Sequence, residues 1–347
     1  MRIRQLVFKT PIKFLFYKLY NLTKFIIFKN FLNSYAQYKP LSMDIEPTTG
    51  CNFRCTMCQV SEPNFQANNM TVDTFKNIIK QNLQLIKVKL QGMGEPFVNK
   101  NFFEMIKICD NYGVFVETIT NGSLLNQKII EKIFDSKSIY RVSISIDGAT
   151  KEIFEKIRVK SNFDIVIENV KKLSKKNNEN NNKVKLRAMC LLQKTNFHQL
   201  EEMVKLCKDI GFHEFELQVQ MTGWGKDNWE NKNRESDINY GNDNSSSIKN
   251  ILRKYNSKHF KASVVENNIL SKDNKCSYPW HNPYISAQGN VVSCCMVADA
   301  KVNNYGNIND KNFSKIWNSE EYQDLRKSII DHNLKDFCKN CYKENRD

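Results

Sequence analysis

The chain has 347 residues, 41% of them hydrophobic, which is enough to bury the core of one large domain with a smaller appendage. Eleven cysteines without a secretory signal argue against a disulfide-stapled secreted protein and for a reducing compartment, where clustered thiols ligate metal. We therefore expect a cytoplasmic globular protein, and the formal charge of +15 leaves nucleic acid, an anionic membrane or an anionic substrate open as partners.

Residues 1–40 form a basic segment that is rich in aromatic residues. Residues 1–43 contain eight lysines and arginines before the first acidic residue, Asp44, so this stretch supplies +8 of the +15. Its apolar runs are far shorter than the roughly 18 residues of a membrane-spanning helix. Two interpretations stay open: residues 1–38 lie on an anionic membrane, at its inner face, or they form a helix that packs on the domain.

Residues 41–221 alternate short β-like runs with amphipathic helical patterns, which is typical of repeated βα units. Six units predict an α/β fold, a partial (β/α)6 barrel of the TIM type, with its chemistry at the carboxyl ends of the strands. Gly113 and Gly211 stand where helix C-caps belong. The predicted strands are 41–47, 87–92, 114–120, 140–147, 184–192 and 214–221, and the predicted helices are 71–86, 100–113, 126–136, 163–176 and 197–211.

Strands 140–147 and 214–221 alternate apolar with polar residues, whereas a parallel strand covered on both faces is apolar throughout. This alternation predicts a polar, concave side of the barrel that lines a pocket. The candidate pocket residues are Glu46, Glu117, Glu216, Gln218 and Gln220, and none of them is singled out as a catalytic acid or base.

Cys51, Cys55 and Cys58 follow the first predicted strand in a CxxxCxxC pattern. A structural zinc site is closed by four ligands. Three cysteines on a [4Fe–4S] cluster leave one iron free to bind a small molecule. The alternatives are a zinc site with a distant fourth ligand, or three free buried thiols.

Further motifs follow in order: "QGMGEP" (91–96), "ITNGSLL" (119–125) and "SISIDGATKEIFEKIR" (143–158). Together with the cysteines they resemble the radical S-adenosylmethionine (SAM) superfamily. The resemblance implies a SAM-binding [4Fe–4S] cluster at Cys51, Cys55 and Cys58, and an electron donor such as flavodoxin or ferredoxin. It also implies that the glutamate of the second motif and its neighbours receive the methionine amine, and that Ser145 contacts the ribose, Arg158 the carboxylate and Leu192 the adenine. The implied cofactor-binding residues are Gln91, Gly92, Gly94, Glu95, Asn121, Ser145, Arg158 and Leu192.

The sequence of residues 222–275 predicts a polar linker with a helix at 248–257 and a possible strand at 260–266. In residues 276–347, Cys276, Cys294 or Cys295, Cys338 and Cys341 offer four ligands. Their spacing is similar to the SPASM/twitch extension of radical SAM enzymes, which selects Cys294 and implies one auxiliary [4Fe–4S] cluster. A four-cysteine zinc site is the alternative.

The resemblance to single-cluster relatives favours a radical SAM oxidoreductase that dehydrogenates a small molecule such as a sugar or aminocyclitol. A peptide- or protein-modifying maturase is the alternative. An alternative of another class is a non-enzymatic metal-binding module for nucleic acid, which the thin spread of charge beyond residue 43 disfavours.

Overall fold

The framework of the protein, seen in a computed structural model, is one mostly parallel sheet. The structure describes residues 10–219, 223–238, 242–265, 270, 274–339 and 341–342. Its strands are β1 Ser42–Ile45, β2 Lys87–Leu90, β3 Phe115–Thr120, β4 Ile139–Ser145, β5 Lys185–Leu191, β6 Glu214–Gln218, β7 Lys261–Val265, β8 Tyr284–Ile285 and β9 Val291–Val292. They lie in the order β7-β6-β5-β4-β3-β2-β1-β8-β9, so the sheet has two edges and is not closed.

Helices surround this sheet. In the described residues they are α1 Ile12–Phe28, α2 Val72–Gln81, α3 Phe102–Tyr112, α4 Gln127–Asp135, α5 Lys151–Ile157, α6 Phe163–Glu179, α7 Leu200–Ile210, α8 Asp227–Ser236, α9 Asn242–Tyr255, α10 Tyr278–His281, α11 Phe313–Trp317, α12 Glu320–Ile330 and α13 Asp336–Lys339. Helices α3 and α7 end at Gly113 and Gly211, whose positive φ angles of 60° and 98° close the last turn.

Strands β1 to β7 are parallel, which confirms the α/β partial barrel. The barrel has one strand more than the six predicted, because the run at 260–266 forms β7 and pairs with β6. This short strand follows a long polar stretch, so its sequence alone gave little sign that it belonged to the barrel.

The cysteine-rich region joins the same sheet. Strand β8 pairs in parallel with β1, and β9 pairs with β8 as a hairpin. Strands of two residues each carry too little periodicity to be recognised in a sequence. The consequence is structural, because this region is fixed against β1, the strand that leads into the loop of Cys51.

Outward residues of the strands, such as Val88, Val116 and Ile144, are fully buried under the helices. Cys109, Cys190 and Cys207 lie in this core, as expected for structural thiols. Trp280 and Tyr284 are also buried, and His281 contacts the rings of Phe25 and Tyr38, so these aromatic residues serve packing.

Helix α1 lies across the amino ends of the strands. Its Lys18 is buried and donates hydrogen bonds to the carbonyls of Leu85 and Gly113, which precede β2 and β3. Leu22 packs against Ile86 and Phe115 at the same end. One face of the basic segment is therefore packed on the domain. Within the described residues, no helix combines the length and the hydropathy needed to cross a membrane.

Candidate active site and auxiliary cysteine group

The loop after β1 brings Cys51, Cys55 and Cys58 to one cavity of about 240 Å³ at the carboxyl ends of the strands. The backbone of this loop is fixed to the end of α5, because Arg54 N donates to Val159 O at 2.8 Å and Thr56 N donates to Ile157 O at 3.0 Å. The cavity is therefore where a parallel barrel is expected to carry its chemistry.

Burial raises the pKa of each thiol in this loop, to about 11 for Cys55 and about 12 for Cys58. A buried thiol releases its proton readily only when a cation compensates the charge of the thiolate. Three such thiols around one cavity fit a cationic metal centre as their partner. Among the described residues, no group of three or more His, Cys, Asp and Glu has the geometry of a site for a single metal ion.

The loop at 91–96 presses against the cysteine loop. A Cβ atom at position 94 would lie 2.4 Å from the carbonyl oxygen of Gly50, so only glycine allows this approach. Glu95 N then donates to the same carbonyl at 2.9 Å. Gln91, Gly92, Gly94 and Glu95 all line the cavity, and so does Met93, which stands between the two glycines.

The carboxylate of Glu95 is buried and connects two strand ends. It accepts hydrogen bonds from Thr120 Oγ1 at 2.7 Å and from Asn121 N at 2.6 Å. Burial raises the pKa of Glu95 to about 7. This carboxylate therefore orients Asn121, which lines the cavity and whose Nδ2 lies 3.9 Å from Cys51 Sγ.

Ser145 and Arg158 lie in the same cavity wall. The guanidinium of Arg158 forms a 2.6 Å ion pair with buried Asp147, and its Nη1 lies 3.9 Å from Cys55 Sγ. The structure corrects the prediction at Leu192. That side chain lies in the hydrophobic core, while Leu191, one residue earlier, lines the cavity, because alternate residues of a strand point to opposite faces.

A second correction concerns the residues interpreted as a linker. Helix α8 covers the cysteine loop, where Trp229 Nε1 donates to Glu62 Oε1 at 2.6 Å and Lys226 Nζ donates to Gln59 Oε1 at 2.8 Å. Trp224 and Asn233 line the cavity itself. Sequence reasoning missed these residues, although two tryptophans within one polar run were a signal.

The remaining candidate pocket residues have different surroundings. Glu117 forms ion pairs with Arg141 at 3.2 Å and Arg187 at 3.3 Å inside the barrel, and Glu216 pairs with Arg187 at 2.9 Å. Burial works against the charged form of Glu117, but Lys89, Arg141 and Arg187 outweigh it and lower its pKa. Gln218 lines the cavity, and Gln220 lies outside the described residues.

Glu46 is a connecting residue between two parts of the sheet and not an open pocket acid. Its buried carboxylate accepts hydrogen bonds from Met93 N at 2.9 Å and from Ala287 N at 3.1 Å. Burial raises the pKa of Glu46 to about 7. The glutamate therefore holds the loop at 91–96 to the β8–β9 hairpin.

The C-terminal cysteines form a second group. Burial and the neighbouring thiols raise the pKa of Cys276 to about 12 and of Cys294 to about 11, and Cys341 acts on both. Cys276, Cys294 and Cys341 likewise raise the pKa of Cys338. Four mutually close thiols fit a fully ligated metal centre.

Cys295 differs from its neighbour Cys294. Its Sγ lies 3.8 Å from the hydroxyl of Tyr278, and beside burial its pKa responds to Asp44 and Lys89, which lie on β1 and β2. This thiol faces the barrel. The grouping therefore favours Cys294 over Cys295 as the fourth member of the C-terminal set.

Two protein families match separate parts of the sequence. Residues 45–207 match the family model of the radical SAM superfamily, and residues 276–342 match that of SPASM, an iron-sulfur cluster-binding domain. The first match contains the cysteine loop and the cavity motifs, and the second contains the C-terminal cysteine group.

Among curated proteins, the mycofactocin maturase MftC of Mycolicibacterium smegmatis is 26% identical over 193 residues, which cover 55% of this chain and 47% of that protein. This chain thus spans about half the length of that relative. Among solved structures, Streptococcus suis SuiB bound to the precursor peptide SuiA gives a TM-score of 0.63 at 16% identity, covering 87% of this chain and 69% of that one. The structure of anSMEcpe with AdoMet and the Cp18Cys peptide gives 0.59 at 19%, covering 84% of each chain. At these identities the two structures establish a shared fold.

Proposed function

This chain belongs to the radical SAM superfamily and carries a C-terminal SPASM domain, and from that premise we propose that it modifies a peptide or protein substrate by radical chemistry. The two domains imply a SAM-binding [4Fe–4S] cluster, an auxiliary cluster and SAM itself. The observation that supports the radical chemistry is that one cavity is lined by Cys51, Cys55, Cys58, Ser145 and Arg158.

Cys51, Cys55 and Cys58 would hold the SAM-binding cluster. When bound, the cluster and SAM supply a one-electron cleavage that yields a radical able to take a hydrogen atom from an unactivated C–H bond. Asp147 orients Arg158 as a cationic partner for the carboxylate of SAM. Ser145 would then lie beside the nucleoside, as first expected, and Leu191 would take the role first given to Leu192.

The cavity wall limits access of water to this site. Met57, Val60 and Trp224 line it, and α8 covers the cysteine loop through Trp229 and Lys226. Exclusion of water protects a reactive species from side reactions and strengthens electrostatic interactions with bound SAM. The backbone atoms of the loop at 91–96 would receive the methionine amine, since Gly94 lets this loop lie directly against the cysteine loop.

Cys276, Cys294, Cys338 and Cys341 would hold the auxiliary cluster. Because β8 is paired directly with β1, this group is fixed relative to the first cavity. A fully ligated cluster offers no open iron to a substrate, which suits it to receive or relay an electron. A one-electron donor of the flavodoxin or ferredoxin class would act as a further partner.

A peptide is proposed in preference to a small molecule because two proteins of this fold are described with bound peptides. Oxidation of a sugar or aminocyclitol, the first expectation from the sequence, becomes the competing hypothesis. Relatives of this family are enzymes, which disfavours a purely nucleic-acid-binding role.

The test uses anaerobically reconstituted, reduced protein with SAM and with candidate peptides encoded beside its gene. We expect 5′-deoxyadenosine and methionine to form, and one peptide to change in mass. Deuterium placed in that peptide should appear in the 5′-deoxyadenosine. A Cys51→Ala variant is the matched control and should do neither.

Two results would contradict the proposal at different levels. If polyols or aminocyclitols stimulate SAM cleavage and every peptide stays unchanged, the substrate is a small molecule and not a peptide. A protein that carries iron but never cleaves SAM would remove the radical chemistry altogether.

A further inference from the structure

Helix α1 buries two polar residues against the protein, beside apolar residues such as Leu22 and Phe25, and leaves a row of apolar residues facing away from it. Lys18 is fully buried, and its Nζ donates to the carbonyl of Gly113 at 2.9 Å and to that of Leu85. Asn21 is also buried and exchanges two hydrogen bonds with the backbone of Lys39, at 2.8 and 2.9 Å. These bonds fix which face of the helix points outward.

The outward face carries an apolar stripe. Ile12 is 88% exposed, Phe16 71%, Ile27 55% and Phe31 64%, and Leu19, Tyr20 and Ile26 lie between them on the same side. Within α1 the spacing of three, four and seven residues places them along one side of the helix, with exposed Thr23 among them, and Phe31 follows just beyond the helix end. Single exposed apolar residues are common in soluble proteins, whereas a contiguous patch of this kind marks an interaction surface.

Positive charge borders the stripe. Lys13 is exposed and Lys24 is half-buried at its side, with Lys24 Nζ 4.8 Å from the ring centre of Tyr20. Residues 1–43 contain no acidic residue. Of the five basic residues that the structure describes in this stretch, Lys18 is buried and Lys39 is partly buried, with its Nζ donating to Gln81 O at 3.4 Å. The surface is therefore apolar in the middle and cationic at its border.

We propose that the outward face of α1 docks this protein on an anionic lipid bilayer, with the helix lying in the interface. Aromatic and aliphatic side chains enter the boundary between headgroups and acyl chains, and the lysines contact anionic headgroups. A second copy of the chain is a poorer occupant, because a symmetric contact would bring lysines against lysines with no acidic residue of the segment to neutralise them.

The location of α1 defines the orientation on the membrane. The helix covers the amino ends of β2 and β3, while the three-cysteine cavity lies at the carboxyl ends of the strands. Docking through α1 would leave the cavity open on the side away from the lipid. The inference is independent of the substrate class and stands even if the peptide proposal fails.

The experiment compares co-sedimentation of the full-length reconstituted protein with vesicles of phosphatidylcholine alone and with about 30 mol% phosphatidylglycerol. We expect preferential binding to the anionic vesicles that weakens as salt rises. Phe16→Ser combined with Ile27→Ser should lower the partition coefficient at least tenfold. The matched control is Ile165→Ser on α6, whose side chain is 49% exposed and lies outside α1; it should bind like the wild type.

A second variant, Lys13→Glu with Lys24→Glu, changes charge without removing an apolar side chain and so tests the proposal even if the apolar variant folds poorly. It should abolish the preference for anionic vesicles while SAM cleavage and iron content stay unchanged. Wild-type protein that ignores lipid composition would overturn the proposal. So would a wild-type dimer that the α1 variants convert to monomer without any vesicle binding, since the stripe would then be a contact between copies.

Discussion

The two cysteine groups of this protein are built in opposite ways. Cys51, Cys55 and Cys58 come from one loop after β1, whereas Cys276, Cys294, Cys338 and Cys341 come from separate segments around a hairpin and α13. In the first group, the local backbone of one loop sets the distances between the three cysteines. The hydrogen bonds to Val159 and Ile157 only anchor that loop to the end of α5. The second group exists only when its segments are folded together, so metal and fold depend on each other there.

Two residues connect the groups across the sheet. Glu46 holds Met93 of the first site and Ala287 of the second region. Lys226 contacts Gln59 beside the cysteine loop and forms a 2.7 Å ion pair with Asp299. The two cysteine groups thus differ in how the chain assembles them, but contacts of Glu46 and Lys226 join the regions that carry them. The following predictions test that comparison.

The largest effect is expected from replacing Cys51, Cys55 and Cys58 together by alanine. The variant should lose about four irons per chain and keep its other cluster, because the C-terminal thiols are a separate donor set. Formation of 5′-deoxyadenosine should fall by a factor of about a thousand or more, while the circular dichroism spectrum stays native.

The matched variant replaces the four C-terminal cysteines by alanine. It should also lose about four irons, but the C-terminal region should become sensitive to limited proteolysis because the metal contributes to its folding. Equal protease resistance of both variants would mean that the two groups do not differ in their link to the fold. An unchanged iron content in either variant would contradict the assignment of its ligands.

A smaller effect is expected at the adjacent pair Cys294 and Cys295. Cys294→Ser should remove or strongly perturb the auxiliary cluster, because this thiol lies with Cys276, Cys338 and Cys341. Cys295→Ser should keep the iron, since its thiol faces Tyr278 and the barrel. Iron analysis and electron paramagnetic resonance of the two variants decide between them, and the reverse outcome would exchange their roles.

The smallest effect concerns the connection through Glu46. Its pKa is raised from 4.5 to about 7, so between these values the folded chain holds a proton that the unfolded chain has released. The free energy of unfolding should therefore fall as pH rises from about 4.5 to 7, by on the order of 3 kcal/mol from this group, and level off above pH 7. Urea unfolding at pH 5, 6, 7 and 7.5 measures the slope.

Glu46→Gln should flatten that dependence but not abolish it, because burial raises the pKa of Glu95 to about 7 as well. Exposed Glu104→Gln is the control and should keep the slope of the wild type. If Glu46→Gln follows the wild-type curve, then Glu46 is not the buried carboxyl that the structure places between the two regions.

The sequence was informative where function depends on local pattern. The spacing of Cys51, Cys55 and Cys58, the glycine at 94 and the order of the later motifs were sufficient for the family, the cofactors and the partial barrel. Gly113 and Gly211 marked helix ends for the same reason, since each needs a backbone conformation that few other residues adopt.

Other features had little local signature. Trp224 and Asn233 lie far along the chain from the cysteines whose cavity they line, and the neighbours Leu191 and Leu192, at the end of β5 and just beyond it, face opposite sides. Lys18 of α1 looks like an exposed charge in the sequence, yet it is buried against two carbonyls. Such placements depend on which surfaces meet after folding.

By itself, then, the sequence determined the family, the two cysteine sets and the alternation of strands and helices, because these depend on neighbouring residues and fixed spacings. Only the tertiary structure decided the seventh barrel strand, the helix over the cysteine loop and the outward face of α1. The physical reason is that burial and contact are properties of distant segments brought together, and residue spacing along the chain does not encode them.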